Sequence, residues 1–213
     1  MQSLLDAIAL LSRPAFPLWG ADVSYSELLG DMTGALCVWL VVRQNIWNWP
    51  LGLLNNVFWT LSFYMARLYA DALLQLLFFA LGVYGFWTWL RGGPRTNALP
   101  VRRARRGEWI ALAGGSALTT TVVAAWLALR TDSPAPLWDA SVLALSVAAT
   151  YGQAQKLLES WWIWIAVDVI SVPLYVSRGL YPTALLYVAF GALCVRGLQA
   201  WSRELGAARE AVP

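Results

Sequence analysis

The chain has 213 residues, of which 59% are hydrophobic and only 13% are charged, and its net charge is +3. Ordinary soluble domains carry roughly 25% charged residues, so this composition excludes a soluble fold. The hydrophobic residues fall into runs of about 18 to 22, the length that a helix needs to cross a hydrocarbon core of roughly 30 Å. The sequence therefore predicts one all-α transmembrane domain over residues 1–213.

The elements predicted in chain order begin with residues 1–25, where an amphipathic helix over Ser3–Ser12 lies at the outer membrane surface. Seven transmembrane helices follow. They are predicted at 26–43, 48–66, 70–90, 109–129, 137–155, 160–177 and 182–202. The linker Arg91–Gly107 contains six arginines and no acid, and its glycine and proline content argues against a structured domain. An inner tail is predicted at 204–213.

The basic residues between the apolar runs indicate topology rather than nucleic-acid binding. With the arginine-rich linker inside, ten basic residues lie on the inner side and four on the outer side. The inner ten are Arg43, Arg91, Arg95, Arg102, Arg103, Arg105, Arg106, Lys156, Arg203 and Arg209. This asymmetry predicts an outer amino terminus and an inner carboxyl terminus.

An internal repeat relates the first three helices to the last three. The shift that carries Tyr69–Trp89 onto Tyr181–Trp201 matches ten of these 21 positions identically, and we call it the repeat shift. The first repeat is predicted over 26–90 and the second over 137–203, with the linker and one connecting helix at 91–136. Four crossings separate equivalent helices, so the copies share one orientation. A parallel 3+1+3 repeat of this kind is typical of carriers with a site near the midplane, although packing alone could also preserve an ancient duplication.

Two sets of aromatic and polar residues lie at equivalent positions of the two repeats. Trp49, Gly52 and Asn56 share one helical face, and the repeat shift carries this face onto that of Trp161, Trp164 and Asp168. Asn55 adjoins the first set, and Gln75 lies about one turn into the third span. A charged group inside a span is costly unless it is paired or faces a polar cavity, so Asp168 is the strongest functional candidate.

These residue types suit a small cationic heteroaromatic compound or a nucleoside. Tryptophan faces stack on flat rings and attract cations, amides satisfy polar groups, and one buried carboxylate balances one positive charge. Simpler interpretations stay open at this point. The tryptophans could be interfacial anchors, and Asn56, Gln75 and Asp168 could form hydrogen bonds between helices.

The motifs of common enzyme classes are absent from the sequence. There is no histidine, no phosphate-binding G-x-x-x-x-G-K-[ST] loop and no G-x-S-x-G or C-x-x-C motif. These absences exclude histidine-dependent acid–base catalysis, most zinc sites and ATP hydrolysis by this chain. A membrane enzyme would have to rely on carboxylates, and no close carboxylate pair lies in any predicted span, so we expect no metal site, no cofactor and no enzymatic activity. Cys37 and Cys194 both lie within apolar runs and are interpreted as small buried hydrophobic residues.

The stretch from Trp47 to Trp89, which contains W-P-L-G-x-x-N and Y-A-D-x-x-L-Q, resembles the first half of the Pnu-type vitamin transporters. The stretch from Trp138 to Trp201, which contains E-S-W-W-I-W-I-A-V-D, resembles their second half. The resemblance implies a fold related to the SWEET-type sugar carriers, often assembled as trimers in the lipid of the bacterial inner membrane. It also implies facilitated diffusion of a vitamin, which is nicotinamide riboside for the best-known members, and a separate cytoplasmic kinase that then traps it.

The resemblance assigns substrate binding to seven residues of this chain. They are Trp49, Asn55, Asn56, Gln75, Trp161, Trp164 and Asp168. Relatives carry thiamine or riboflavin, so these vitamins are the alternatives within the family. A membrane assembly subunit that transports nothing is the alternative from another class, and a membrane enzyme is a more distant one.

Overall fold

The computed structural model describes residues 11, 13–18, 21–65, 69–92, 99–131, 133–177, 179 and 181–210. The amphipathic helix expected over Ser3–Ser12 lies outside these residues except at Leu11, so it stays a prediction. The described part of this segment is an antiparallel pair of strands, β1 (Pro14–Leu18) and β2 (Ala21–Ser24). These strands are an addition to the helices that the sequence predicts. Two prolines in β1 disfavour a helix there, because proline lacks the backbone N–H that a helix interior needs.

Seven helices follow the strands within the described residues, and each coincides with one predicted span. They are α1 (Tyr25–Val42), α2 (Asn48–Met65), α3 (Tyr69–Arg91), α4 (Arg106–Arg130), α5 (Pro136–Ala154), α6 (Ser160–Ser177) and α7 (Tyr181–Glu210). Four of them contain stretches long and apolar enough to cross a membrane. These stretches are Ala72–Arg91, Arg106–Arg130, Ser160–Ser177 and Tyr181–Ala207. The expectation of seven helices is confirmed, and α7 continues into the segment predicted as a separate tail.

The chain divides into two compact units, Met1–Phe86 and Trp87–Pro213. In the first unit α1 packs along α2. The Ser62 and Ser26 hydroxyls of these helices lie 2.7 Å apart, and the Cys37 thiol donates to the backbone carbonyl of Asn48 at 3.2 Å. Hydrogen bonds of this kind satisfy polar groups where water is scarce and hold neighbouring helices in register.

In the second unit α5 packs against both α4 and α6, and α6 packs against α7. Small residues at intervals of four, Ala140, Ala144 and Ala148, are buried along α5. Their short side chains allow the helix backbones to approach closely, which is the usual packing of helices in membranes. None of the residues of α4 is buried, so its apolar surface is available to lipid.

The same turn joins α1 to α2 and α5 to α6. Gln44 and Lys156, which the repeat shift pairs, both adopt positive φ angles, 53° and 50°. The next residue in each turn donates its backbone N–H to the same equivalent carbonyl, Asn45 to Leu40 at 2.9 Å and Leu157 to Gly152 at 2.8 Å. Local backbone structure therefore recurs with the same spacing as the sequence repeat. The 3+1+3 arrangement of the whole chain stays a prediction.

Part of the arginine-rich linker is docked on the α5–α6 turn rather than irregular. The Arg102 backbone N–H donates to Lys156 O at 3.1 Å, and its carbonyl accepts from Leu158 N–H at 2.9 Å. The Glu159 carboxylate accepts the backbone N–H of Ala104 at 2.8 Å. The Arg102 guanidinium binds both carboxylate oxygens of Glu108 at 2.8 Å, and these hydrogen bonds raise the pKa of Arg102 above its ordinary value.

Candidate substrate-binding site

Four polar side chains on one face of α6 carry buried atoms that lack a hydrogen-bond partner within the described part of the chain. Trp161, Trp164, Asp168 and Ser171 follow one another at spacings of three, four and three, which places them on the same side of the helix. The atoms are the two indole Nε1 groups, Asp168 Oδ2 and Ser171 Oγ. Buried polar groups are almost always paired in folded proteins, so this face is suited to a ligand or water.

Asp168 lies on α6 against α7, and only 5% of it is exposed. The Cys194 thiol on α7 forms a hydrogen bond with its carboxyl group. Gly191, one turn before Cys194, leaves space beside the carboxylate. A Cβ atom added at Gly191 would lie 3.7 Å from both Cβ and Oδ2 of Asp168. Two positions of α7 therefore determine how the carboxylate is held and how far it can be approached.

A groove of about 330 Å³ opens between α6 and α7 beside this carboxylate. It is lined by Asp168, Val169, Val172, Pro173, Tyr187, Val188 and Gly191. Pro173 lies inside α6 and cannot donate the usual helical hydrogen bond to the Val169 carbonyl. The groove thus combines apolar walls with the acceptor oxygens of Asp168, as small-molecule sites combine apolar linings with a few polar groups.

Tyr187, which lines the groove, belongs to an aromatic cluster. The Tyr187 ring lies 5.0 Å from the Tyr175 ring and 5.8 Å from the Phe190 ring, measured between centroids. Aromatic faces carry partial negative charge and attract cations, and their attraction adds to that of the Asp168 carboxylate. The electrostatics of the groove favour a flat ligand with one positive charge.

Trp161 is a core residue in this structure. It is fully buried, its ring meets that of Trp201 edge-on at 5.3 Å, and it covers Gly197. A Cβ atom at Gly197 would overlap the Trp161 ring, so the glycine is required for this contact. Packing therefore accounts for Trp161 without a ligand. Trp164 is half-buried, and neither tryptophan lines the Asp168 groove.

In the first unit the sequence-predicted site residues also differ in their surroundings. Trp49 covers Gly85, as Trp161 covers Gly197. The Asn55 amide donates to the Gly30 carbonyl and to Thr33 Oγ1, so it joins α2 to α1. Asn56 on α2 and Gln75 on α3 are half-buried. Asn55 is thus occupied within the helix pair, and the structure leaves Asn56 and Gln75 more accessible.

Asp168 is the only lining residue of the groove that sequence reasoning predicted, and three of the missed residues, Cys194, Gly191 and Tyr187, shape the surroundings of its carboxylate. Cys194 was interpreted only as a small hydrophobic residue, and neither Gly191 nor Tyr187 was singled out. The repeat provides information on Tyr187 and Gly191, because the repeat shift pairs them with Gln75 and Phe79 of the first repeat. Gln75 is a sequence-predicted site residue, so the same interpretation extends to its counterpart in the second repeat.

The model of a known protein family, described as nicotinamide mononucleotide transporter, matches residues 24–203. This match covers all seven helices except the end of α7.

Two curated relatives match nearly the full length of the chain. The nicotinamide riboside transporter PnuC of Escherichia coli is 29% identical, over 88% of this chain and 90% of its own. The riboflavin/roseoflavin transporter RibM of Streptomyces davaonensis is 30% identical, over 90% of this chain and 91% of its own.

A solved structure, described as the crystal structure of the vitamin B3 transporter PnuC, has a similar fold. It superposes with a TM-score of 0.68 at 23% sequence identity, and the match covers 84% of this chain and 81% of that one.

Proposed function

Because this chain belongs to the nicotinamide mononucleotide transporter family, we propose that it carries a small aromatic vitamin across the membrane, with nicotinamide riboside as the preferred substrate. The named relatives are transporters, so the chain is a multi-pass membrane transporter and not an enzyme. The observation that carries the choice of substrate is the buried Asp168 carboxylate, whose Oδ2 has no partner within the described residues and lines an open groove.

Charge distinguishes the vitamins that this family could carry. The pyridinium ring of nicotinamide riboside is a flat cation, and a carboxylate in a site of low dielectric attracts it strongly. The phosphate of a mononucleotide would be repelled by the same carboxylate. The ring system of riboflavin is uncharged and gains nothing from it. Thiamine is also cationic and aromatic, so it is the alternative that the charge argument favours.

The groove of about 330 Å³ lies within the range of about 300 to 1,000 Å³ that is common for small-molecule sites. Riboflavin stays the second candidate for one specific reason, which is the 30% identity to a riboflavin/roseoflavin transporter.

The seven residues proposed to contact the substrate divide by role. Asp168 is assigned the charge contact. Trp164 lies outside the groove but one turn before Asp168 on the same face of α6, and its indole nitrogen is unpartnered within the described chain, so it is assigned an aromatic contact. Asn56 and Gln75 are assigned contacts to polar groups of the ligand. Trp49, Asn55 and Trp161 are assigned a supporting role, because their own packing partners hold them in place.

The proposed mechanism is facilitated diffusion by alternating access. Without a phosphate-binding loop the chain has no means to hydrolyse ATP, so the substrate moves down its own gradient. A separate cytoplasmic kinase would then trap it, and a homotrimer in the bacterial inner membrane is the proposed assembly. The excess of ten inner over four outer basic residues supports an outer amino terminus and an inner carboxyl terminus.

A binding screen on the purified protein tests this proposal. Nicotinamide riboside, thiamine, riboflavin and nicotinamide mononucleotide are compared by isothermal titration calorimetry in the same detergent. We expect nicotinamide riboside to bind most tightly and the mononucleotide to bind more weakly because of its phosphate. Tightest binding of riboflavin would overturn the choice of substrate. Failure of all four to bind would favour the assembly subunit that transports nothing.

A further inference from the structure

Gly191 on α7 lies against the Asp168 carboxylate on α6, and packing does not explain why a glycine is there. Glycine is the least favourable residue after proline in a helix interior, so a helical glycine needs a reason. At Gly197 and Gly85 the reason is evident, since an added Cβ would overlap a tryptophan ring. At Gly191 an added Cβ would make only ordinary contacts at 3.7 Å.

The corresponding position of the first repeat carries a large side chain. The repeat shift, which aligns Phe78 with Phe190 and Ala80 with Ala192, places Phe79 opposite Gly191. Phe79 lies within α3 and is exposed. A ring is therefore compatible with the helix at this position. The second repeat therefore has Asp168 together with a glycine at position 191. The first repeat has Asn56 at the position equivalent to Asp168, together with a phenylalanine at position 79.

We propose that Gly191 is a specificity-determining residue, which keeps the Asp168 carboxylate open to a flat cationic ring. This inference rests on the proposed function, and it assigns to Gly191 the selectivity of the site for a positively charged substrate. The first carbon of any side chain at 191 would already lie in contact with Asp168 Oδ2, at 3.7 Å. A larger side chain covers the carboxylate and fills the groove.

Two further residues of α7 complete the surroundings of the Asp168 carboxylate. Cys194 lies one turn further along α7 and forms a hydrogen bond with the Asp168 carboxyl group, while Oδ2 has no partner within the described residues. Tyr187 lies one turn before Gly191 and supplies an aromatic wall. Gly191 thus lies between Cys194, which holds the carboxylate, and Tyr187, whose ring can contact a cationic ligand, and it leaves the space between them open.

Two ligands of nearly equal size and different charge test this inference. Nicotinamide riboside carries a positive ring, and its reduced, uncharged dihydro form does not. The affinity of each is measured by calorimetry for the wild-type protein, Gly191→Ala and Gly191→Phe, together with the thermal midpoint of each protein. Gly115→Phe is the matched control, because a Cβ at Gly115 on α4 meets no other atom within 4 Å.

We expect the wild type to prefer the charged form. Gly191→Phe should lose about tenfold or more in affinity for it, the loss of one charge-assisted contact, so that the preference disappears. Gly191→Ala should keep or raise the thermal midpoint while its preference for the charged form falls. Gly115→Phe should bind both forms as the wild type does.

Each other outcome overturns a stated part of the proposal. If Gly191→Phe keeps the wild-type preference, Gly191 does not control access to the carboxylate. If Gly191→Phe fails to fold, Gly191→Ala decides: an unchanged preference overturns the inference, and a reduced one supports it. If the wild type binds neither form, the proposed substrate is wrong and the inference falls with it. If the wild type binds both forms equally, the proposal that the protein binds this vitamin is retained, and the proposal that Gly191 makes the site selective for charge is refuted.

Discussion

Asp168 is the single residue on which recognition of charge depends in this account. Only 5% of it is exposed, it lines the groove, and its Oδ2 has no partner in the described part of the chain. A buried charge of this kind costs folding free energy that a bound cation can offset. Recognition and stability should therefore respond in opposite directions when the charge is removed.

Asp168→Asn keeps the size of the side chain and removes its charge. We expect the affinity for nicotinamide riboside to fall about tenfold or more, in line with roughly 1.5–3 kcal/mol for a charge-assisted contact. The thermal midpoint should be unchanged or slightly higher, because an unpaired buried charge is removed. Calorimetry and thermal unfolding of the same purified samples provide the two measurements.

Two further variants serve as controls for this prediction. Asp168→Leu should lose binding as well, and Asn56→Leu should weaken it less, since Asn56 carries no charge. An Asp168→Asn protein with normal affinity would show that the carboxylate is structural, and the argument for a cationic ligand would fail with it.

Some features of the candidate residues could be predicted from the sequence, and others could not. Asp168 stood out because an acid in an apolar run is costly wherever the helix packs. The role of Cys194 could not be inferred in the same way, because it depends on which face α7 presents to α6. Burial of Trp161 against Trp201 likewise depends on the pairing of two different helices and not on the local pattern.

At the scale of helices, each unit contains a tryptophan seated on a glycine of a neighbouring helix. Trp49 covers Gly85 in the first unit, and Trp161 covers Gly197 in the second. The absence of a side chain at each glycine allows a whole indole ring to pack against the helix backbone. The second contact fixes how α6 lies on α7 and thereby positions Asp168 opposite Gly191.

Gly197→Ala tests this contact. Its Cβ would overlap the Trp161 ring, which is fully buried. We expect a loss of about 1–3 kcal/mol in stability from overpacking, seen as a lower thermal midpoint. Gly114→Ala is the control, since a Cβ there meets nothing within 4 Å, and better helix propensity should leave it neutral or slightly stabilised. Equal midpoints for the two variants would contradict the packing role.

Hydropathy predicted the helices well and the segments between them poorly. All seven helices lie close to the predicted spans, because run length and apolar composition are local properties. The pairing of Pro14–Leu18 with Ala21–Ser24 was not expected, and neither was the docking of Arg102 on the α5–α6 turn. The docking depends on backbone hydrogen bonds to residues more than 50 positions away, whereas the strands are neighbours in sequence and hydropathy alone does not indicate that they pair.

At the scale of the whole molecule, the repeat relates the two units by sequence and by local structure. Equivalent turns with positive φ recur at Gln44 and Lys156, and the two tryptophan–glycine contacts recur with the same spacing. The repeats differ where function is proposed, since Asp168 and Gly191 replace Asn56 and Phe79.

Uptake of nicotinamide riboside into proteoliposomes tests whether the protein carries this vitamin by facilitated diffusion. Purified protein is reconstituted without any ion gradient, and labelled substrate is followed over time against empty liposomes and against the Asp168→Asn protein. We expect the wild type to bring the internal concentration up to the external one and no further, and the variant to do so more slowly at low substrate concentration. Uptake no faster than in empty liposomes, or accumulation above the external concentration, would contradict the account.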